Sequence, residues 1–259
     1  MDTALITGAS LGIGLEFART FASAKNNVVL VARSEDKLKA LANELQTAFG
    51  ITVKVIAADL SNMDDVQKVY DTCKAENIKI DYLVNNAGIG VYDFFSDADW
   101  TKTEQMINLN ITSLTKMCRL FIPDMVARKS GKILNVASTA AFQPGPTMAV
   151  YYASKSYVLS FSEALYNELQ GTGVHITCLC PGATQSSFFE AAAMHESNLV
   201  KGKKLPTSKE VAAFGYKAMM KNKMTVIHGW MNAIMANSIR LTPRKLVLKI
   251  VRKIQEKSS

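Results

Sequence analysis

The sequence predicts an α/β fold in which a mainly parallel, seven-stranded sheet is covered by helices on both faces. Seven short runs of apolar, often β-branched residues are separated by longer segments in which apolar residues recur with helical spacing. The short runs are apolar throughout instead of alternating, which is typical of strands buried on both faces. Right-handed crossovers between such strands build a doubly wound, Rossmann-type architecture.

The predicted elements alternate along the chain, and no linker rich in proline, glycine or serine divides it. We therefore expect one domain spanning 1–259. The strands are predicted at Thr3–Thr7, Asn27–Val31, Thr52–Ala57, Tyr82–Val84, Lys132–Val136, His175–Cys180 and Thr225–His228. The helices are predicted at Gly14–Ala24, Glu35–Phe49, Met63–Lys74, Thr101–Ala127, Val150–Leu169, Ser208–Met220 and Pro243–Lys257.

Composition restricts the class of protein. Apolar residues make up 48% of the chain, ample for a core, yet no apolar run is long enough to span a bilayer. No secretory signal is evident, so we expect a cytoplasmic protein. The histidines and cysteines lack metal-ligand spacing, so no metal site is expected and the thiols are interpreted as buried in a reducing compartment. The four cysteines are Cys73, Cys118, Cys178 and Cys180.

Positive charge is concentrated near the end of the chain, where +6 of the net +8 lies between Arg240 and Lys257. A nucleic-acid-binding protein would need basic residues across a docking face, so we expect no nucleic-acid partner. The predicted helix Pro243–Lys257 is amphipathic. It packs on its own domain or a neighbouring subunit, makes a peripheral contact with an anionic membrane surface, or binds another partner. Its apolar stripe comprises Leu246, Val247, Ile250, Val251 and Ile254.

A glycine-rich turn, TGASLGIG over Thr7–Gly14, follows the first strand and opens a helix. Glycines let the backbone approach a pyrophosphate, and the helix N-terminus supplies free N–H groups and a favourable dipole. The G-x-x-x-G-x-G spacing differs from G-x-G-x-x-G and resembles the signature of the short-chain dehydrogenase/reductase family. The residues expected to border the dinucleotide here are Gly8, Ser10, Leu11, Gly12, Ile13 and Gly14.

The end of the second strand bears on the choice of cofactor. Ala32, Arg33 and Ser34 stand where an acidic residue would bind a ribose 2′-hydroxyl. A guanidinium can hold a 2′-phosphate, so NADP(H) is preferred and NAD(H) is the alternative. The competing interpretation is that Arg33 is a solvated loop charge. The resemblance implies a basic residue at Leu11 in many NADP-preferring relatives, and the neutral side chain there weakens the preference.

The resemblance implies two further cofactor contacts. Asp59 and Leu60 end the third strand, where the family's aspartate contacts the adenine, although aspartate is also common as a turn or helix-cap residue. Asn86, Ala87 and Gly88 follow the fourth strand in a motif that stabilises the sheet and borders the cofactor in that family. Without the resemblance this motif would be interpreted as a turn.

Tyr151 and Lys155 lie four residues apart in a predicted helix and share a face. A free phenol has a pKa of about 10, and a nearby ammonium lowers it, which allows proton transfer to a carbonyl oxygen or from an alcohol. Tyr152 competes for this role, but it points about 100° away around the helix. The resemblance implies Tyr151. Taken alone, the pair is also consistent with a packed aromatic beside a solvated lysine.

Two upstream residues strengthen this interpretation. Ser138 closes the fifth strand thirteen positions before Tyr151, the separation usual in the family, and a serine there can hydrogen-bond the substrate oxygen. The alternative for Ser138 is a strand-end turn. The resemblance implies a helix asparagine that holds a water linked to the lysine. Asn110 is preferred over Asn108 for that role, by its distance from Pro123.

The match to the family weakens after the sixth strand. Where the family usually has Pro-Gly-x-Val-x-Thr to hold the nicotinamide carboxamide, this chain has Pro181, Gly182, Thr184 and Ser186. Ser186 keeps a hydroxyl, so the contact is still expected. Residues 187–206 are expected to form a substrate loop. Within it Phe188, Phe189 and Met194 either line an apolar pocket or are ordinary packing residues. Neither His195 nor His228 has neighbours in a pattern that would make it a ligand.

These motifs together predict an NADP(H)-dependent oxidoreductase that reduces a ketone or aldehyde to an alcohol, reversibly, with tyrosine as acid and base. The expected partner is a small, apolar carbonyl or alcohol compound. The resemblance implies a homodimer or homotetramer. The alternative function is a non-catalytic NADP(H)-binding sensor that kept the fold.

Overall fold

The structure, a computed structural model, describes residues 1–185 and 205–255. Its centre is a sheet of seven strands in which every adjacent pair is parallel, in the order β3-β2-β1-β4-β5-β6-β7. The predicted fold class is therefore confirmed. The strands are β1 (Thr3–Thr7), β2 (Asn27–Ala32), β3 (Val53–Ala57), β4 (Tyr82–Asn85), β5 (Gly131–Val136), β6 (Val174–Cys180) and β7 (Thr225–Ile227).

Helices in the described part of the chain follow the strands in alternation. Local signals set several of their ends. The side chain of Asn62 accepts a hydrogen bond from the N–H of Asp64 at one start, and Thr207 and Glu210 form a capping box at another. The helices are α1 (Gly12–Ser23), α2 (Glu35–Phe49), α3 (Met63–Ala75), α4 (Trp100–Ile107), α5 (Leu114–Ala127), α6 (Ala149–Glu168), α7 (Ser208–Met220), α8 (Trp230–Ser238) and α9 (Arg244–Gln255).

Apolar cores lie on both faces of the sheet, because successive strand residues point to opposite sides. Leu5 belongs to a core formed with α3, α5 and α6, whereas its neighbours Ala4 and Ile6 belong to one formed with α1, α2 and α7. Phe17 of α1 is fully buried in the second core. Burying such a side chain stabilises the fold by about 1.5–3 kcal/mol. The two cores fix the strands whose ends carry the site.

A buried polar network crosses the first core beneath those strand ends. Asn85 Nδ2 donates to Asn135 Oδ1 at 2.9 Å, and Asn135 Nδ2 donates to Ser162 Oγ at 2.9 Å. Asn85 Nδ2 also approaches Cys118 Sγ at 3.3 Å. These bonds connect β4, β5, α5 and α6 and hold them in one register.

The long helix predicted over Thr101–Ala127 is helical throughout, but its α-helical pattern is interrupted once. A π-helical turn at Asn108–Ser113 separates α4 from α5. Within this turn the side chain of Asn110 bonds the backbone of Ile89, which lies outside the helix. Such widened turns often occur at functional sites.

The final helix was predicted to have one apolar stripe. In the structure this stripe is divided into a buried part and an exposed part. Val247 and Val251 are buried, whereas Leu246, Ile250 and Ile254 are exposed by 48, 47 and 40%. The reason is that α9 presents only a narrow face to the domain. That face packs in a third apolar cluster, whose other buried members are Met106, Ala140, Met148, Tyr151 and Tyr152.

The helix α8 was not predicted, and the strand β7 ends one residue before the predicted His228. Four large apolar side chains of α8 are exposed, so its sequence lacks the polar outer face that a helical pattern normally shows. These side chains are Trp230, Met231, Ile234 and Met235.

Candidate active site

The candidate site lies at the carboxyl edge of the sheet. Because all strands are parallel, the loops that follow β1, β4, β5 and β6 meet at that edge, where open α/β sheets bind their ligands. These four loops hold the glycine-rich turn, Asn86, Ser138 and Pro181, and α6 carries Tyr151 and Lys155 to the same edge. The order of the strands therefore brings together residues that are far apart in the sequence.

The glycine-rich turn has the shape of a phosphate cradle. Gly8 and Gly12 have positive φ angles of 67° and 56°, which favour glycine. A Cβ on Gly14 would lie 2.2 Å from the carbonyl oxygen of Gly8, so a side chain is excluded there. Leu11 is the N-cap of α1 and has no side-chain acceptor, so the first-turn N–H groups face the loop for an anion to bind. The turn therefore fits a dinucleotide pyrophosphate.

The loop after β4 holds this turn in place. The backbone N–H groups of Asn86 and Ala87 both donate to Thr7 Oγ1 at 3.0 Å. Asn86 Nδ2 donates to the carbonyl of Thr7 at 2.9 Å. The Asn86 side chain thus anchors the start of the glycine turn. This contact agrees with the stabilising role that the resemblance implies for its motif.

The predicted adenosine-side residues differ in exposure and contacts. Arg33 and Ser34 are exposed just beyond β2. Asp59 Oδ1 accepts hydrogen bonds from the N–H and hydroxyl of Ser61 at 3.0 and 2.8 Å, so one carboxylate oxygen serves the turn. Leu60 is buried in the first core. The turn interpretation of Asp59 therefore agrees with its contacts, whereas Arg33 is open to a ligand.

Helix α6 carries the tyrosine and the lysine to the end of β5. The side chains of Tyr151 and Ser138 are hydrogen-bonded to each other. Lys155 Nζ donates to the carbonyl of Val136 at 2.9 Å and lies 5.9 Å from the centroid of the Tyr151 ring. Tyr151 and Lys155 are 9% and 5% exposed. The three predicted side chains thus form one group, in which Tyr151 and Lys155 are buried and Ser138 is half-buried.

Burial shifts the proton affinities of this group in opposite directions. It raises the pKa of Tyr151 to about 12, and the hydrogen bond from Ser138 opposes this shift. It lowers the pKa of Lys155 to about 8. Both shifts arise because a buried group favours its neutral form. At neutral pH the phenol is protonated and the lysine is mostly charged, the states needed to give a proton to a substrate oxygen.

Asn110 lies next to the lysine, as predicted, and its amide makes three hydrogen bonds. Its Oδ1 accepts from the N–H of Ile89 at 3.0 Å, and its Nδ2 donates to the Ile89 carbonyl and to Ser154 Oγ. A Cβ on Gly88 would lie 3.1 Å from Asn110 Oδ1 and 3.3 Å from Lys155 Nζ. Glycine at this position therefore lets the asparagine and the lysine approach each other.

The neighbouring tyrosine faces a different partner. Gln255 Nε2 donates a hydrogen bond to the hydroxyl of Tyr152. Tyr92 donates to the carbonyl of Gln255 at 2.6 Å. Burial raises the pKa of Tyr152 above its ordinary value. The two adjacent tyrosines thus divide the roles: Tyr151 reaches Ser138, and Tyr152 fastens α9. No pattern in the sequence indicates the contact between Gln255 and Tyr152.

Comparison with known proteins identifies the family. The family model described as short chain dehydrogenase matches residues 2–197. The chain belongs to the short-chain dehydrogenase/reductase family. A very-long-chain 3-oxoacyl-CoA reductase of Anas platyrhynchos is 39% identical over 184 residues, 69% of this chain and 58% of that protein. This chain thus aligns with less than two thirds of that relative's length.

Two solved structures resemble this chain over nearly their whole lengths. A short-chain dehydrogenase from Sphingobium yanoikuyae in complex with NADPH is 29% identical, with a TM-score of 0.85, covering 100% of this chain and 99% of that one. A short-chain dehydrogenase/reductase from Burkholderia phymatum in complex with NAD is 27% identical, with a TM-score of 0.82, covering 100 and 98%. Nicotinamide dinucleotides of both kinds are therefore bound by relatives of this chain.

The chain departs from its family's pattern after β6. Thr184, which replaces the usual valine, is buried and donates to the carbonyl of Gly182 at 2.9 Å. A Cβ on Gly182 would lie 2.4 Å from Asn232 Nδ2, so the unpredicted helix α8 borders this motif. Pro181 accepts a hydrogen bond from Thr139 N–H. Ser186 and residues 187–204 of the predicted substrate loop, with Phe188, Phe189, Met194 and His195, lie outside the described residues.

Three features of the described ranges concern metal ligands, membrane spans and disulfides. Within residues 1–185 and 205–255, no group of three or more histidine, cysteine or acidic side chains could hold a metal ion. In the same ranges, no helix is long and apolar enough to cross a membrane. The four cysteines are free and buried, as their interpretation from sequence required.

Proposed function

We propose that this dehydrogenase reduces a ketone or aldehyde to an alcohol with NADPH, and that Tyr151 gives the proton. The observation that carries the proposal is the group in which the buried Tyr151 bonds the half-buried Ser138 and lies beside the buried Lys155. A protonated phenol, a hydroxyl donor and a cation in a site of low polarity suit a carbonyl oxygen that gains negative charge.

In the proposed reaction, bound NADPH supplies the hydride that reduces the carbonyl carbon. Tyr151 transfers its phenolic proton to the carbonyl oxygen, and the hydroxyl of Ser138 donates a hydrogen bond to the same oxygen. The charge of Lys155 stabilises the resulting phenolate. Asn110 lies next to Lys155, where a water held between them would return a proton to Tyr151. One carbonyl, one hydride and one proton give one alcohol.

Arg33 supports the preference for NADPH. It is exposed directly after β2, at the strand end where an acidic residue would repel a 2′-phosphate. A guanidinium binds phosphate through paired, charge-assisted hydrogen bonds. We propose that Arg33, with the hydroxyl of Ser34, holds the 2′-phosphate. The two related structures were solved with NADPH and with NAD, so members of the family bind either cofactor. We propose that the side chain at position 33 sets the preference between them.

The substrate is proposed to be apolar. The third apolar cluster surrounds Tyr151 with Met106, Met148, Val247 and Val251. Such walls favour a hydrocarbon chain or ring next to the reacting carbonyl. A long-chain 3-oxoacyl compound, the substrate class named for the Anas relative, is one candidate.

The adjacent tyrosines offer a matched test. Tyr151→Phe removes the proposed proton donor, so we expect kcat for an apolar ketone to fall about 10²–10⁴-fold while NADPH still binds. Tyr152→Phe removes a hydroxyl bonded to Gln255 instead, and it should keep most of the turnover. NADPH oxidation is followed by absorbance and NADPH binding by fluorescence. Near-normal turnover of Tyr151→Phe would refute the proposal. NADPH binding without turnover of any carbonyl by the wild type would instead indicate a sensor.

A further inference from the structure

The outward side of α9 carries two parallel rows of side chains. Leu246, Ile250 and Ile254 form an apolar row, each 40–48% exposed. Lys245, Lys249 and Lys253 form an exposed lysine row. Residues four apart lie on one line along a helix, so both rows run its length. One residue step turns the helix by about 100°, so the rows are neighbours.

The apolar row is not needed by the fold. The inward face of α9 already anchors the helix through Val247 and Val251, each 5% exposed, and through the buried Gln255. Exposing three large aliphatic side chains to water costs free energy, and burying them against a partner surface would recover it. The row therefore has the character of a docking face.

Apolar exposure continues beside α9. The guanidinium of Arg252 lies 5.9 Å from the ring centroid of Phe94, which is 52% exposed. Leu241, just before α9, is 90% exposed. Aromatic and aliphatic residues bordered by cations are typical of segments that lie at a lipid–water interface.

We propose that the outer face of α9 docks on an anionic lipid surface, with the apolar row among the acyl chains and the lysine row at the headgroups. Charge complementarity selects this occupant. The segment from Arg240 to Lys257 carries +6 of the net +8, which attracts anionic headgroups. A second copy docked on the same face by twofold symmetry would bring two lysine rows close together, and like charges would oppose it.

Docking would place the lipid surface one helix thickness from the candidate active site. The inward face of α9 contacts the cluster that contains Tyr151, and an α-helix with its side chains is about 10 Å thick. An apolar carbonyl compound could then pass from the lipid to the site without crossing water. This consequence rests on the proposed function, whereas the docking itself does not.

Vesicle co-sedimentation of the full chain tests the lysine row. Wild type should bind vesicles of mixed phosphatidylglycerol and phosphatidylcholine much more tightly than vesicles of phosphatidylcholine alone. The triple variant Lys245→Gln, Lys249→Gln and Lys253→Gln should bind the mixed vesicles on the order of 100-fold more weakly, since each lysine near an anionic surface adds roughly fivefold. The control triple variant changes Lys68, Lys217 and Lys221 to Gln, three exposed lysines with the same total charge. Equal losses in both triples, or equal binding to both vesicles, would overturn the proposal.

A second pair of variants tests the apolar row. Ile250→Ser should weaken binding to the mixed vesicles by about tenfold, because one buried aliphatic side chain is lost from the lipid. Met224→Ser, at a residue of similar exposure in the turn before β7, should leave binding unchanged. Sedimentation velocity of the same proteins identifies the rival occupant. If Ile250→Ser converts a dimer to a monomer and leaves vesicle binding intact, the face binds a second copy and the proposal fails. None of these readouts needs turnover.

Discussion

Gln255 and Tyr152 are hydrogen-bonded across the boundary between the last helix and the helix that carries the candidate proton donor. Gln255 is fully buried, and its carbonyl accepts a second bond from Tyr92 at 2.6 Å. In α6, Tyr152 lies between Tyr151, the candidate proton donor, and Ala153. The end of α9 is therefore fixed to the helix that lines the candidate active site, and the loss of this contact should alter that site.

Gln255→Ala should loosen α9 more than it unfolds the sheet. The change leaves the hydroxyl of Tyr152 without its donor in a buried place, at a cost of about 1–3 kcal/mol. We expect faster hydrogen exchange in α9, a higher KM for an apolar ketone and little change in exchange of β1. Gln170→Ala, an exposed position after α6, is the control. If exchange in α9 stays slow, Gln255 is not the anchor.

The pH dependence of cofactor use should report the buried lysine. Burial lowers the pKa of Lys155 to about 8, so the side chain is charged below that pH and neutral above it. The value of kcat/KM for NADPH, which reflects the free protein, should fall as pH rises through about 8. Lys155→Met should have low activity without that fall. A wild-type profile that stays flat to pH 10 would contradict the assignment.

Arg33→Asp should reverse the preference between the two cofactors. The carboxylate repels a 2′-phosphate and can accept hydrogen bonds from a ribose 2′-hydroxyl. We expect the ratio of kcat/KM for NADPH to that for NADH to fall by about 10- to 100-fold. Lys221→Asp makes the same charge change at a distant exposed residue and should leave the ratio alone. Equal rates of the wild type with both cofactors would undercut the role of Arg33.

Asn135→Ala should destabilise the whole domain. Asn135 is fully buried and bonds both Asn85 and Ser162, so its removal takes one hydrogen-bond partner from each of two buried polar side chains. We expect the free energy of unfolding to fall by about 2–4 kcal/mol in urea denaturation. Asn167→Ala, at an exposed position of α6, should change it by less than about 0.5 kcal/mol. A similar loss in both variants would mean that the network adds no stability of its own.

Strongly patterned parts of the fold could be predicted from the sequence. β1 at Thr3–Thr7 and α2 at Glu35–Phe49 have the predicted bounds, because buried strands and amphipathic helices show their periods directly. α8 escaped prediction because its exposed side chains are apolar. The π-turn around Asn110 escaped because it depends on a bond to Ile89, a contact between distant residues.

The candidate site was predictable to the extent that its motifs are local. Tyr151 and Lys155 share a helix face through their spacing, and Ser138 follows a strand end. The partner of Tyr152 was not predictable, because Gln255 lies 103 residues later and only tertiary packing brings it near. The family's role for Ser186 stays a prediction, since that residue lies outside the described ranges.

The bonds between Asn86 and Thr7 have a consequence for the order in which the chain matures during synthesis. The glycine turn leaves the ribosome early, yet the residue that anchors it follows 79 positions later. Until β4 has emerged and paired with β1, the turn lacks the support that holds it ready for a phosphate. A nascent chain that stops at β3 is therefore expected to be unable to bind the dinucleotide, although its whole glycine motif has been made.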